Sequence, residues 1–241
     1  AVAVTIFLLE DLIPHYRDRT ARLRHAFPHV LTALLNGLLT RFILAGATLQ
    51  ITAWTAVHSF GLRHMLRLSP MAATVTIWIL FDLWMYFWHK ANHQIDFLWL
   101  FHRAHHRSIT PTPWAAYSFA IPEAFAMFLF VPIWQFFVPT PGWVMFTWLN
   151  FQIIRNAMGH AGFEFFPRWW LSTPLTRWIN TTVHHDLHHN GGFNTNYGLY
   201  FTWWDKWMGT EHPKYRQRFD EVVNRPRATV DEVSQPRPIT I

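Results

Sequence analysis

The sequence predicts an all-α integral membrane protein, with about four transmembrane helices carrying a histidine-rich helical cap. Three observations lead there. Only 14% of the residues are charged and 51% are hydrophobic, whereas a soluble domain has about 25% charged residues. Four apolar stretches approach the roughly 20 residues that a helix needs to cross a bilayer. Histidines also recur at helical spacing in three separate places, which sets their rings on single helix faces.

Residues 1–13 are apolar but carry Glu10 and Asp11 and end at Pro14. They are too short to span and suit a membrane-surface helix or the end of a truncated span. The chain does not begin with Met and shows no cleavable signal peptide, so its natural N-terminus is expected upstream. Arg17, Arg19, Arg22 and Arg24 form a basic collar ahead of the first span, Val30 to Phe60. Arg41 interrupts that span and needs a partner or a cavity. A second span runs from Met71 to His89, and residues 107–118, with Pro111 and Pro113, read as a turn or surface loop. Phe119–Val138 and Gly142–Met158 form a hairpin of two further spans around the Pro139-Thr140-Pro141-Gly142 turn. Trp169, Trp170, Leu171 and Trp178 then predict a helix lying at the membrane interface. The organisation is therefore an N-terminal segment with the first span (1–70), a region with the remaining spans and the histidines (71–212) and an extended or disordered tail (213–241).

Composition narrows the partners. Fifteen Trp and 22 Phe suit an interfacial aromatic belt. The net charge of +6 points to anionic lipid headgroups rather than nucleic acid, because the basic residues flank apolar spans. Absence of cysteine removes disulfides, iron–sulfur clusters and thiol nucleophiles.

The chemistry sits in the histidines. Between His89 and His106 an 18-residue window holds five of them, where the chain average gives about one. His89 and His93 are an i,i+4 pair, and His102, His105 and His106 stand at i, i+3 and i+4. The same spacing returns at His185, His188 and His189, with His184 adjoining and His160 isolated between. Imidazole is the commonest side-chain ligand for transition metals. So many rings exceed one tetrahedral zinc and suit two metals with four or five nitrogens each.

Topology lets these groups meet. The second span delivers His89 and His93 to one side, the hairpin starts and ends on that side, and no further long apolar run precedes His184. Arg63 and Arg67 alone are assigned to the opposite face beside Arg41, so the positive-inside rule makes the histidine side cytoplasmic. Asp82, Tyr86, His89 and His93 form one helical stripe. Asp82 is thus a candidate catalytic-site carboxylate that orients a ligand ring, or a salt-bridge partner for Arg41. Gln152, Asn156 and His160 repeat the spacing and make Asn156 a weak or water-mediated ligand; Glu164 and Asp186 are further orienting carboxylates or ordinary interfacial charges. Several schemes fail on residue type: there is no HExxH, no GxSxG, no phosphate loop, no dinucleotide fingerprint and no ExxH pair.

His89-x-x-x-His93, His102-x-x-His105-His106 and His185-x-x-His188-His189, in that order across a membrane hairpin, resemble the fatty acid hydroxylase/sterol desaturase superfamily. Asn196-Tyr197-Gly198, Trp204-Asp205-Lys206 and Gly209-Thr210 look like its segment after the last box, so the resemblance covers about residues 70–212. It implies an integral-membrane di-metal oxygenase with two iron ions, which zinc can replace in a purified sample. The implied substrate is a lipid C–H bond, with O2 and a separate electron donor of the cytochrome b5, ferredoxin or reductase type. The implied location is a bacterial inner membrane or the endoplasmic reticulum. The implied ligands are His89, His93, His102, His105, His106, His160, His185, His188 and His189, with His184 as an additional candidate and Asn156 where some relatives have a further His. Phe119-Ala120-Ile121-Pro122-Glu123 stands where many members have His-Pro before the Glu. The rival readings are a membrane metal transporter or sensor, and a zinc-dependent lipid hydrolase.

Overall fold

The computed structural model describes residues 5–6, 29–38, 43–62, 69–107, 112–190 and 192–224. Among these residues the chain is helical, and β-structure is limited to one isolated bridge between Ile179 and Phe201. The helices are α1 (His29–Leu38), α2 (Ala45–Val57), α3 (Pro70–Gln94), α4 (Asp96–His106), α5 (Ile121–Phe128), α6 (Phe130–Phe137), α7 (Gly142–Gly159), α8 (Thr182–Asn190), α9 (Trp203–Met208) and α10 (Tyr215–Val223).

The axis of the fold is α3. Ser69 caps it by accepting a hydrogen bond from the Ala72 amide, and Pro70 occupies the first turn, where its missing N–H costs nothing. Its 25 residues extend about 37 Å. This is the one helix among the described residues that is long and apolar enough to cross a membrane. Ala73, Ile77, Phe81, Met85 and His89 follow one another at i+4 along its buried face. Phe81 meets Trp148 and Phe130 edge-on, at ring-centroid distances of 4.3 and 5.0 Å, joining α3 to α7 and α6. The main core grows from there through Met127, Trp134, Val144 and Tyr200. At Ile95 the backbone becomes extended, and α4 folds back so that its histidines return to the end of α3.

Several expectations change in the structure. The first span, Val30–Phe60, is described as α1 and α2, while Arg41 lies outside the described residues. The third is two short helices meeting at Leu129, because Pro132 has no N–H to continue the helical ladder. Over residues 112–118 the turn holds and the surface loop does not: Thr112, Ala115 and Ala116 are fully buried and a 3-10 turn spans Ala115–Tyr117. The interfacial helix around Trp170 is instead two 3-10 turns, Trp170–Ser172 and Thr176–Trp178, on either side of Pro174. The C-terminal region is not extended from residue 213. Tyr215 and Phe219, one helical turn apart in α10, are buried against Leu171 and Val183; residues 225–241 lie outside the described set.

Candidate metal centre

The four histidine segments converge. The ends of α3 and α4, the residue after α7, and α8 bring their rings into two adjoining groups. His89, His93, His102, His106 and His188 form one, and His105, His160, His185 and His189 the other. Within each group the candidate ligand atoms lie within 4.8 Å of one another. The helical spacing explains the sorting. Each i,i+4 pair (89/93, 102/106, 185/189) stays within one group, while the i+3 member of each HxxHH helix, His105 or His188, crosses to the other.

The rings face one another through Nε2. These atoms lie 3.1 Å apart in His102 and His106, 3.2 Å in His185 and His189, 3.0 Å in His160 and His185, and 3.2 Å in His105 and His160. A metal–nitrogen bond of about 2.1 Å places neighbouring ligands about 3.0–3.4 Å apart, so the spacings fit metal coordination. The buried nitrogens without hydrogen-bond partners fit it as well, among them both ring nitrogens of His93 and Nε2 of His188.

Hydrogen bonds on the far side turn several rings. His89 Nδ1 donates to the Tyr197 carbonyl (2.8 Å), His188 Nδ1 to that of Thr195 (2.7 Å), and His160 Nδ1 to that of Asn156 (2.9 Å). His102 Nδ1 donates to Oε1 of Glu123 (2.5 Å). Each bond leaves Nε2 as the lone-pair nitrogen facing the group. Burial pushes His102, His105, His185, His188 and His189 well below the ordinary histidine range, with repulsion from neighbouring rings adding to it. His160 is lowered by burial to about 4. Neutral rings are the metal-binding form.

Five candidates take other positions. His184 is buried outside both groups, its Nε2 3.5 Å from Asp205 Oδ2 and its ring edge-on to Tyr215. Asp82 touches no histidine: its Oδ2 accepts from the indoles of Trp203 (2.9 Å) and Trp204 (2.7 Å), tying α3 to α9. Asn156 borders the cavity, but its Nδ2 donates to the Ala116 carbonyl. Glu164 caps α8 through the Val183 and Thr182 amides, and Asp186 accepts from Asn190. The carboxylate that does orient a ring, Glu123, lies in the first turn of α5, 21 residues from His102. Its one sequence signal was an acidic residue following Pro122 at the start of an apolar run.

Beside the groups lies a small cavity, partly open to the surface. Met85, Trp88, Phe119, Met127 and Leu199 form its apolar walls; His89, His102, His105, His160 and His185 close one end beside Asn92, Glu123 and Asn156. The arrangement defines a helical protein with a two-part, all-histidine candidate metal centre at the end of an apolar cavity. The chain belongs to the fatty acid hydroxylase family, whose profile matches residues 74–210.

Similar proteins include the Delta(7)-sterol 5(6)-desaturase of Gibberella zeae, 32% identical over 59% of this chain and 42% of that one. The human cholesterol 25-hydroxylase is 33% identical over 55% and 48%. The C-4 methylsterol oxidase of Schizosaccharomyces pombe is 30% identical over 64% and 53%. The chain thus spans about half the length of the curated relatives it matches. No solved structure gives a significant match.

Proposed function

We propose that this protein is a membrane di-iron oxidoreductase that hydroxylates or desaturates a C–H bond of a lipid, of fatty acyl, sterol or related class. It uses O2 and electrons from a separate donor of the cytochrome b5, ferredoxin or reductase type. The observation that carries the reading is the pairing of two all-histidine groups, five and four rings, at the end of an apolar cavity. A redox-active metal pair supplies the O2 chemistry that no side chain here provides, and zinc, which has no redox chemistry, only occupies such a site. His89, His93, His102, His106 and His188 would hold one metal, and His105, His160, His185 and His189 the other.

The remaining residues bind and exclude. Met85, Trp88, Phe119 and Met127 receive the apolar body of the substrate and keep bulk water from the reacting carbon. Asn156 presents an amide at the cavity wall as a polar contact or the holder of a water. Region 71–212 forms the catalytic unit; the chain crosses the membrane about four times, the first crossing lying ahead of that region, with the histidine groups on the cytoplasmic side. The exposed apolar side chains of α1, α2 and α3, among them Leu31, Leu49, Val57, Met71 and Val75, support lipid contact.

The test is isotopic. Iron-loaded protein with a reductase-coupled donor and a lipid substrate should incorporate one atom of 18O from labelled O2 if it hydroxylates, or consume O2 without incorporation if it desaturates. Label arriving from water, with zinc supporting turnover and no electrons needed, would replace this reading with the lipid-hydrolase one. Metal binding without O2 consumption would favour a transporter or sensor.

A further inference from the structure

The segment Thr195–Gly198, with Asp205 and Thr210, contributes no ring to either histidine group, yet it is dense in buried polar contacts. Asn196, Tyr197 and Asp205 are all fully buried. Asp205 Oδ1 accepts from the Tyr197 amide (2.9 Å) and the Thr210 hydroxyl (2.7 Å), and Oδ2 accepts from the Gly198 amide (2.8 Å). The Asn196 side chain donates to the His184 carbonyl (2.8 Å) and accepts from the His212 amide (2.7 Å). Gly198 admits no side chain, because a Cβ there would press on the Phe201 carbonyl and the Asp205 carboxylate. The backbone of 195–198 is therefore pinned from both sides.

What this backbone presents is selective. Its two carbonyls, of Tyr197 and Thr195, accept from His89 Nδ1 and His188 Nδ1, and both rings belong to the five-histidine group. In the four-histidine group the acceptor for His160 comes from α7 instead, and among the described residues Nδ1 of His105, His185 and His189 has no hydrogen-bond partner, as is also true of His93 and His106 in the five-histidine group. We propose that Asp205 is a positioning residue for one of the two metals only. It holds the 195–198 backbone so that Nε2 of His89 and His188 point into the five-histidine group, while its one contact toward the neighbouring α8 histidines, His184 Nε2 at 3.5 Å, is to a ring that belongs to neither group. The inference rests on the reading that each group holds a metal.

Metal content of the purified full-length chain tests it. Wild type is expected to hold two metals per chain, one in each histidine group. Asp205→Ala should fall to one, as should His188→Ala. Combining Asp205→Ala with His188→Ala should leave one, because both changes empty the same group; combining it with His160→Ala should leave none. Thr210→Ala, a milder change that removes one bond to Asp205 together with the Tyr86 hydroxyl contact, should lower occupancy of the same group, and Thr210→Ser should restore it. A purely structural role for Asp205 would not reproduce this pattern. Retention of two metals in Asp205→Ala, loss of both, or loss of the last metal in the His188 double variant overturns the positioning role while leaving the two-metal reading intact. A wild-type chain that binds fewer than two metals overturns both.

Discussion

His102 Nδ1 lies 2.5 Å from Oε1 of Glu123, and both side chains are buried. A histidine whose far nitrogen donates to a carboxylate is fixed in tautomer and direction and made a stronger ligand; losing such a partner costs about 10–100-fold in metal affinity or activity. Glu123→Ala is therefore expected to lower turnover by at least about tenfold. Glu123→Gln retains an acceptor for His102 and should retain more metal than the alanine variant. Equal metal affinity in wild type and Glu123→Ala, measured by competition with a chelator, would contradict this role.

The interleaving of the groups predicts the effect of single ring deletions. His105→Ala and His188→Ala each remove a ring from a different group, so each should lose metal and abolish activity. His58 is exposed, stacked on Trp54 in the turn after α2, and belongs to neither group. His58→Ala should leave metal content and rate unchanged. Full activity and unaltered metal in His105→Ala would exclude the proposed centre.

Asp82 predicts a stability change rather than a chemical one. Its carboxylate holds two indoles of α9, and leaving a buried donor without its partner costs about 1–3 kcal/mol. Asp82→Ala should lower the unfolding temperature in detergent while the metal-to-protein ratio stays at the wild-type value. Selective metal loss at unchanged thermal stability would instead return Asp82 to the metal centre.

Acid should destabilise the metal-free protein. Unfolded histidines take up protons below about 6.5, whereas native His160 does so only near 4 and native His184 near 3, burial being the cause. The unfolded state thus binds more protons in that window, and stability falls as pH drops through it. Glu164 and Asp205, raised by burial to about 7 and about 6, hold native protons and act in the opposite direction. The eight lowered rings between His102 and His189 outnumber them. Chemical denaturation at pH 5 and pH 7 should show the lower midpoint at pH 5; the reverse order would show that the carboxylates dominate.

Topology can be tested with single cysteines, because the chain has none. Thr140 is buried and bonded to Trp134, so Trp143, which is exposed at the start of α7, is the better probe of the hairpin turn. In oriented vesicles a membrane-impermeant thiol reagent should label Trp143→Cys and Asn190→Cys from opposite sides. Labelling from one side would remove the four-span arrangement.

The histidine geometry was legible because i,i+3,i+4 spacing is local: once α4 and α8 form, the rings share a face whatever else the chain does. The division into five and four was legible as a number of nitrogens but not as an assignment, since it depends on how α4 and α8 cross. The long-range partners were not legible. Asp82 meets Trp203 and Trp204 across more than 120 positions, and Asp205 reaches His89 through the Tyr197 backbone. Backbone carbonyls have no residue identity, so the acceptors for His89, His160 and His188 leave no mark in the sequence. His184 shared the composition of the last box, yet its ring faces Asp205 and Tyr215.

Each histidine group joins distant parts of the chain: His106 meets His188, and His105 meets His189. A metal in either group acts as a cross-link closing a loop of about 80 residues, an entropy cost that the unfolded chain does not bear. Neither cross-link can form until α8 has been synthesised, so the rings of α3 and α4 have no complete group to join before then. Because a ligand that binds only the native state raises its stability by mass action, metal supply sets how much of the protein survives as well as how much is active. A metal-starved cell should therefore lose the polypeptide to turnover, rather than store an empty enzyme that revives when metal returns.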